Sequence, residues 1–361
     1  MTIEKFIFGT KAETLHRLKG NLERSYIPKF LSFSVDDWNC DPAPILKNAQ
    51  ETFLGREVIV RSSSMSEDSG HSALAGAFLS VPNVDSRDKG ILAGAINDVV
   101  ASYFKSGEED GINPGNQVLV QEMIVDVAMS GVVFTQDLST GAPYYVINYD
   151  DSSGSTDSIT SGQYNNRTLY VFRDESESLS SERFANLLRS VSEIERLVGD
   201  DCLDIEFALT ASLEVLIFQV RRITTQPNWN RGLALRVSDA VKRNVELLSL
   251  RYDYSASNQQ FENAPILGNM PDWNPAEMIG SAPRPLAYSL YRYLITDKSW
   301  RLARKQLKYK ERTGHPLMLS LSGQPYIDVR ESFYSYLPES LPIEIGEKLV
   351  AAWLSNLRKN H

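Results

Sequence analysis

Apolar residues recur at helical spacing in some stretches of the chain and bunch or alternate at strand spacing in others. Leu15, Leu18 and Leu22 share one helical face behind Thr10-Lys11-Ala12-Glu13, where a threonine followed three residues later by a glutamate predicts a capping box. With the run Phe6-Ile7-Phe8 and Gly9 before it, this segment reads as strand, glycine turn and helix. A longer stripe, Phe184, Leu187, Leu188, Val191, Ile194 and Leu197, predicts a helix over 181–198 that stops at Gly199. Val58-Ile59-Val60 predicts a strand running into Arg61-Ser62-Ser63-Ser64, then an acidic loop from Met65 to Gly76 and a helix over 88–104. Further strands are predicted over 118–124, 131–135, 144–149 and 168–172. Two more, over 203–209 and 214–220, form a predicted hairpin around Thr210-Ala211-Ser212. A helix over 232–248 leads to a polar stretch and then a Pro/Gly/Asn-rich one, 263–275, which marks a domain boundary. The remainder reads as mainly helical.

Composition narrows the class. With 361 residues, 42% hydrophobic and 23% charged, the chain can build two or three domains with real cores. A net charge of -9 argues against a nonspecific nucleic-acid binder, which needs a basic footprint. The basic run Lys298 to Arg312 does not change this, because Trp300, Leu302, Ala303 and Leu307 are interleaved in it. It reads as an amphipathic helix with a solvated cationic face. Cys40 and Cys202 form no CxxC, so neither a disulfide framework nor structural zinc is expected. No apolar run reaches eighteen residues and the N-terminus does not resemble a signal peptide, so the expected location is cytoplasmic, with no membrane partner.

Four segments carry candidate chemistry: Lys11, Val60-Arg61-Ser62-Ser63, Val118 to Met123, and Asp204-Ile205-Glu206 with Gln219-Val220-Arg221. Lys11, Arg61 and Arg221 can neutralise a polyphosphate, and an arginine can grip two oxygens at once. Lys11 sits where a first helical turn favours an anion, although a solvated surface lysine is the plainer reading of that segment alone. Glu206 and Gln219 offer hard oxygen ligands that suffice for magnesium beside substrate phosphates. Period-two geometry puts Glu206 with Asp204 on one strand face and Gln219 with Arg221 on the neighbouring strand, so Glu206 and Gln219 can lie opposite each other. A surface hairpin with an ordinary cross-strand charge pair is the competing reading.

Taken together and in order, these segments resemble the ATP-binding domain of the phosphoenolpyruvate synthase and pyruvate phosphate dikinase family. Val60-Arg61-Ser62-Ser63 with Glu67-Asp68 and Ala75-Gly76 is similar to VRSSATxED…FAG. Val120-Gln121-Glu122-Met123 with Ser130 to Thr135 is similar to VQxMV…SGVxFT, and Asp204 to Phe207 with Phe218 to Arg221 to DIEW…LQxRP. Gly9-Thr10-Lys11 resembles GGK. The resemblance spans about the first 225 residues. It implies an α+β chain with a two-lobed ATP-grasp fold over 1–225, lobes about 1–115 and 116–225. A helical linker over 226–262 and the mainly helical start of a substrate domain over 263–361 would follow. It implies that Lys11, Arg61 and Arg221 are the catalytic phosphate contacts and that Glu206 and Gln219 hold Mg2+. ATP would also meet Ser62, Gly76, Ser80 and the adenine segment Gln121, Glu122, Met123 and Ile124, whose backbone at the lobe hinge would bond the base.

Departures from the pattern point to a divergent branch. The family's GLGE loop appears only as Gly154-Ser155-Thr156-Asp157, and its RP dipeptide as Arg221-Arg222. The family passes its phosphoryl group through a histidine in a motif like GGxxSHxA, and none of His16, His71, His315 and His361 has that context. No phosphoenolpyruvate-binding barrel is read before Leu357-Arg358-Lys359-Asn360-His361. A truncated chain or one partner of a split enzyme, inactive alone, is therefore expected, with a phosphohistidine domain acting in cis or in trans. Gly268 to Gly280, followed by Arg284-Pro285-Leu286, resembles the substrate domain of small-molecule kinases such as glutamine kinases, which would make the acceptor an amino acid. A phosphoenolpyruvate synthase acting on pyruvate and a non-catalytic ATP-binding module stay open.

Overall fold

A computed structural model describes residues 6–64, 79–105, 116–151, 167–177, 179–223, 229, 233–252, 265–269, 275–311 and 314–359. The chain divides into two compact units, Met1–Val237 and Ser238–His361. Among the described residues no helix is long and apolar enough to cross a membrane.

The first unit holds two sheets. One is four-stranded, in the order β2 (Phe30–Ser34), β5 (Gln117–Glu122), β3 (Glu57–Ser63) and β4 (Ser80–Asp85), antiparallel throughout. The other is six-stranded, in the order β1 (Ser25–Tyr26), β10 (Val215–Arg222), β9 (Leu203–Thr210), β6 (Val127–Phe134), β7 (Tyr144–Asp150) and β8 (Arg167–Phe172). In this second sheet only the short β1 runs parallel to its neighbour.

Helices cover each sheet with the residues that their apolar spacing selects. α1 (Lys11–Leu18) and α5 (Glu182–Val198) bury Leu15, Leu18, Phe184, Leu187, Leu188, Val191 and Ile194 in one core with Ile205, Phe207 and Ile217. α2 (Val35–Cys40), α3 (Pro42–Phe53) and α4 (Lys89–Lys105) pack Trp38, Phe53, Leu92 and Ile96 against Val58, Val60, Val118 and Val120. The capping box of α1 forms as expected: Thr10 accepts from the Glu13 amide and Glu13 accepts from the Thr10 amide. α5 stops at Gly199 in the left-handed conformation (φ 68°), its N–H donating to the Glu195 carbonyl. The stripe differs at one place, because Val198 is buried and Leu197 is exposed.

Two expectations about organisation need correction. The lobe boundary expected at 115/116 falls instead between β5 and β6, because β5 pairs with β2 and β3 in the four-stranded sheet. The N-terminal segment through β1 belongs to the six-stranded sheet's core, so the four-stranded lobe is an insertion in the other. Its two ends lie side by side, the Glu122 amide donating to the Lys29 carbonyl at 2.9 Å.

The second unit carries the C-terminal part of α6 (Leu233–Tyr252), then β11 (Leu267–Gly268), α7 (Pro275–Ile279), α8 (Pro285–Tyr291), a π-helical stretch Arg292–Ser299, and α9 (Trp300–Gln306). β12 (Met318–Leu321), β13 (Gln324–Asp328), α10 (Val329–Tyr334) and α11 (Ile343–Lys359) complete it. The mainly helical reading of this part missed a three-stranded sheet, β11-β13-β12. Its hairpin turns at Ser322-Gly323, both at positive φ (50° and 86°), a two-residue turn whose twist suits adjacent strands. The single basic helix expected from Lys298 to Arg312 ends at Gln306.

Gly131, in the motif Ser130-Gly131-Val132, has a packing reason. A Cβ there would stand 2.2 Å from the Asn148 carbonyl oxygen of β7, an atom that cannot swing aside. Gly131→Ala is expected to destabilise the first unit by about 2 kcal/mol, within the usual cost of overpacking. Urea denaturation checks it, and an unchanged midpoint would contradict the close approach.

Candidate functional site

Strand parity decides which side chains can meet between the two sheets. On β3 and β5, Val58, Val60, Val118 and Val120 face the four-stranded lobe's own core. The alternate residues, Arg61 and Ser63 on β3 and Gln117, Leu119 and Gln121 on β5, therefore share the other face. Leu119 on that face is part of the six-stranded sheet's core. α1 is pinned to the same face, its Ala12 amide donating to Ser63 Oγ at 3.0 Å and Thr10 Oγ1 to Gln117 Oε1 at 2.9 Å. This places Lys11, buried in the first turn, beside the strand that carries Arg61.

From the six-stranded sheet, β9 and β10 present Glu206 and Gln219 directly opposite each other. A register shift between Ile217 and Gln219 sets that pairing. Arg61 Nη2 donates to Glu206 Oε2 at 2.9 Å, with the two side chains 13% and 17% exposed, so the pair bridges the sheets. Burial would push the Glu206 carboxyl up, but Arg61, then Lys11, the Arg61 hydrogen bond and Arg221 outweigh it and hold the group below the ordinary carboxylate range. All three expected cations thus act on one carboxylate. Arg221 is steadied by Asp204, whose Oδ2 accepts from its Nε at 2.7 Å. Asp204 belongs to the DIEW-like motif, and its place two residues before Glu206 is the signal that locates it. Ser80 stands across from Arg61 on β4 and is exposed.

Other expected contacts fall elsewhere. Ser62 has the parity of Val60 and turns into the lobe's own core, 3% exposed, so its side chain cannot share a ligand with Arg61. Glu122 likewise faces away and pairs with Arg56. The amides of Glu122 and Met123 donate to the carbonyls of Lys29 and Glu57, which removes two of the backbone donors expected to meet a base. Met123 and Ile124 are half-buried. Gly76, His71, the Glu67-Asp68 pair and the loop Gly154 to Gly162 lie outside the described residues.

Among the described residues, Arg61 Nε and both amide atoms of Gln121, a residue 0% exposed, meet no hydrogen-bond partner. An unmade buried polar group costs about 1–3 kcal/mol, so such orphans mark where a ligand would return the cost. Gln121 offers one acceptor and a donor amide.

Residues 45–181 match the family described as pyruvate phosphate dikinase, AMP/ATP-binding domain. The match covers less than half of the chain and falls within the first unit. The match includes Arg61, Ser80 and Gln121; Lys11, Glu206, Gln219 and Arg221 lie outside it and are joined to it by the contacts above. The two sheets, each packed by its own helices, agree with the expected two-lobed α+β form of an ATP-grasp domain. Among solved structures, the chain is similar to a D-alanine-D-alanine ligase from Coxiella burnetii at 14% identity, over 68% of this chain and 61% of that one, with a TM-score of 0.36. It is also similar to D-alanyl-alanine synthetase A from Vibrio cholerae at 13% identity, over 60% and 56%, with a TM-score of 0.35. The chain thus spans less than two thirds of either protein, and likenesses this loose carry no weight for activity. No curated protein matches the sequence.

Proposed function

We propose that the chain is the ATP-binding part of a dikinase-type phosphotransferase. The observation that carries this reading is the convergence of Lys11, Arg61 and Arg221 on Glu206, opposite Gln219, inside a unit with an AMP/ATP-binding domain. Arg61 and Arg221 are paired with Glu206 and Asp204. A triphosphate entering between the sheets would take over the guanidinium of Arg61, including its unpartnered Nε, and leave Glu206 to a metal.

Glu206 and Gln219 fit magnesium. One is held ionised, the other supplies a neutral carbonyl oxygen, and both sit at adjacent register positions. The ion, when bound, neutralises charge on the phosphates. Lys11, Arg61 and Arg221 then hold the oxygens in place, and the dry, preformed set of charges needs little rearrangement as charge moves. Gln121, with its unpaired amide, supports recognition of the base edge.

In this reading the β-phosphoryl group of ATP passes to a histidine on another domain, supplied in cis or in trans, and then to a small acceptor, while water takes the γ-phosphoryl group, so that AMP and phosphate are released. The amino-acid-kinase resemblance around 268–286 supports an amino acid over pyruvate. Mg-ATP is expected to stabilise the first unit by about 2.7 kcal/mol at a hundredfold excess over its dissociation constant, read as a rise in Tm. In the same samples ATP should remain intact until a phosphohistidine domain of this enzyme class is added, when AMP appears. The reading fails if folded protein shows no shift with millimolar Mg-ATP, or if AMP forms without any added domain.

A further inference from the structure

We propose that Ser63 is a positioning residue for nucleotide binding, fixing where Lys11 can reach by holding the first turn of α1. In the nucleotide reading above, on which this role rests, Lys11 meets a phosphate. Ser63 touches no phosphate and acts through Lys11.

The start of a helix leaves its first amides without partners inside the helix. On α1 two of them are taken by side chains: the Glu13 amide donates to Thr10 Oγ1 at 3.2 Å, and the Ala12 amide to Ser63 Oγ at 3.0 Å. Those amides are committed to the protein, which leaves the ammonium of Lys11 as the charge that the first turn brings to a phosphate. Where it can reach depends on how the turn is held. Ala12, Leu15 and Leu18 of α1 pack in the core of the six-stranded sheet. The first turn is tied to the other lobe. Ser63, the last residue of β3, takes the Ala12 amide, and its register partner Gln117 on β5 accepts from Thr10 Oγ1 at 2.9 Å. Lys11 is thus carried by one lobe and aimed by the other.

The anchor is itself held. Ser63 is 0% exposed, and its amide donates to the Tyr103 hydroxyl at 2.8 Å, which in turn donates to the Gln117 carbonyl at 2.7 Å. Tyr103, on α4, is buried in the four-stranded lobe's core. Ser63 also follows Arg61 by two residues on the same strand face, about 6.6 Å further along the strand. One strand therefore supplies Arg61 directly and Lys11 indirectly, and Ser63 sets the relation between the two cations. Ser62, with the opposite parity, turns the other way and cannot stand in. Alanine at 63 would take away the hydroxyl that accepts the buried Ala12 amide.

Calorimetry with Mg-ATP on the full chain tests the role in the wild type, Ser63→Ala, Lys11→Met and the double variant. Lys11→Met should weaken binding about 100-fold, as loss of a charge-assisted contact would, and Ser63→Ala about tenfold. In the Lys11→Met background Ser63→Ala should cost about twofold at most, because no ammonium remains to be aimed. A merely structural role would weaken binding alike in both backgrounds. If Ser63→Ala does not fold, Gln117→Met takes its place under the same criteria. Wild-type protein that binds no Mg-ATP would overturn the nucleotide reading itself. If it binds and Lys11→Met binds more weakly, then wild-type affinity in folded Ser63→Ala, or equal losses in the two backgrounds, overturns the positioning role alone.

Discussion

Arg173→Met is expected to cost the first unit about 3–5 kcal/mol, the usual penalty for breaking a buried ion pair from one side. Arg173 follows β8 and grips Glu195 of α5 through both terminal nitrogens, at 2.7 and 3.0 Å. The same guanidinium donates to the Thr135 carbonyl at 2.8 Å and lies 4.5 Å from the Tyr145 ring centroid. Tyr145 adds its hydroxyl to Glu195 Oε2 at 2.8 Å. Burial pushes the Glu195 carboxyl above its ordinary value even against the pull of Arg173 and Tyr145. The native state therefore holds this proton more tightly than the unfolded chain, so stability falls as pH rises from the ordinary carboxylate value through the raised native one. Removing Arg173 widens that window, and the loss should be larger at pH 7 than at pH 4. Urea denaturation at the two pH values measures it, with Arg173→Met/Glu195→Leu expected to regain much of the difference. A loss below about 1 kcal/mol at pH 7 would mean the pair contributes little beyond its packing.

The second large effect concerns the metal and has opposite signs in two titrations. Glu206→Gln should weaken binding of Mg-ATP about 100-fold, equivalent to about 2.8 kcal/mol. Binding of ATP without magnesium should hold or tighten, because the substitution removes a negative charge beside the phosphates and frees Arg61 from its partner. Gln219→Ala should lower Mg-ATP affinity in the same way and leave metal-free binding unchanged. Equal losses with and without magnesium would reduce β9 and β10 to scaffolding. Calorimetry with and without a chelator separates the two outcomes.

The parts of this molecule that were legible in sequence are those set by neighbours along the chain. The Thr10–Glu13 capping box, the α5 stripe with its Gly199 stop, and the β9–β10 hairpin all follow from local spacing. The short turn of that hairpin alone would put Phe218 opposite Glu206, and the register shift between Ile217 and Gln219, which no local pattern shows, brings Gln219 there instead. β2 was not read, since Phe30-Leu31-Ser32-Phe33 is short and its pairing partner lies far along the chain. The placement of β5 in the first sheet is likewise a long-range choice between partners. The β12–β13 hairpin did have a local signal, Ser322-Gly323, which the charge pattern around it obscured. At the site, residue types point to phosphate and metal, whereas parity within β3 turns Ser62 inward and the amides of Glu122 and Met123 are taken by contacts no linear pattern shows.

The adjacency of Lys29 and Glu122 has a consequence for how this chain can be cut and rejoined. A lobe that leaves and returns to its host sheet at neighbouring points behaves as a cassette. Excising the cassette would require only a short bridge from Ile27 to Val127, each already held in the six-stranded sheet or its core. The remainder would keep β1, β6 to β10, α1 and α5 and would lack Arg61. Whether it still folds would show which lobe is the independent folding unit.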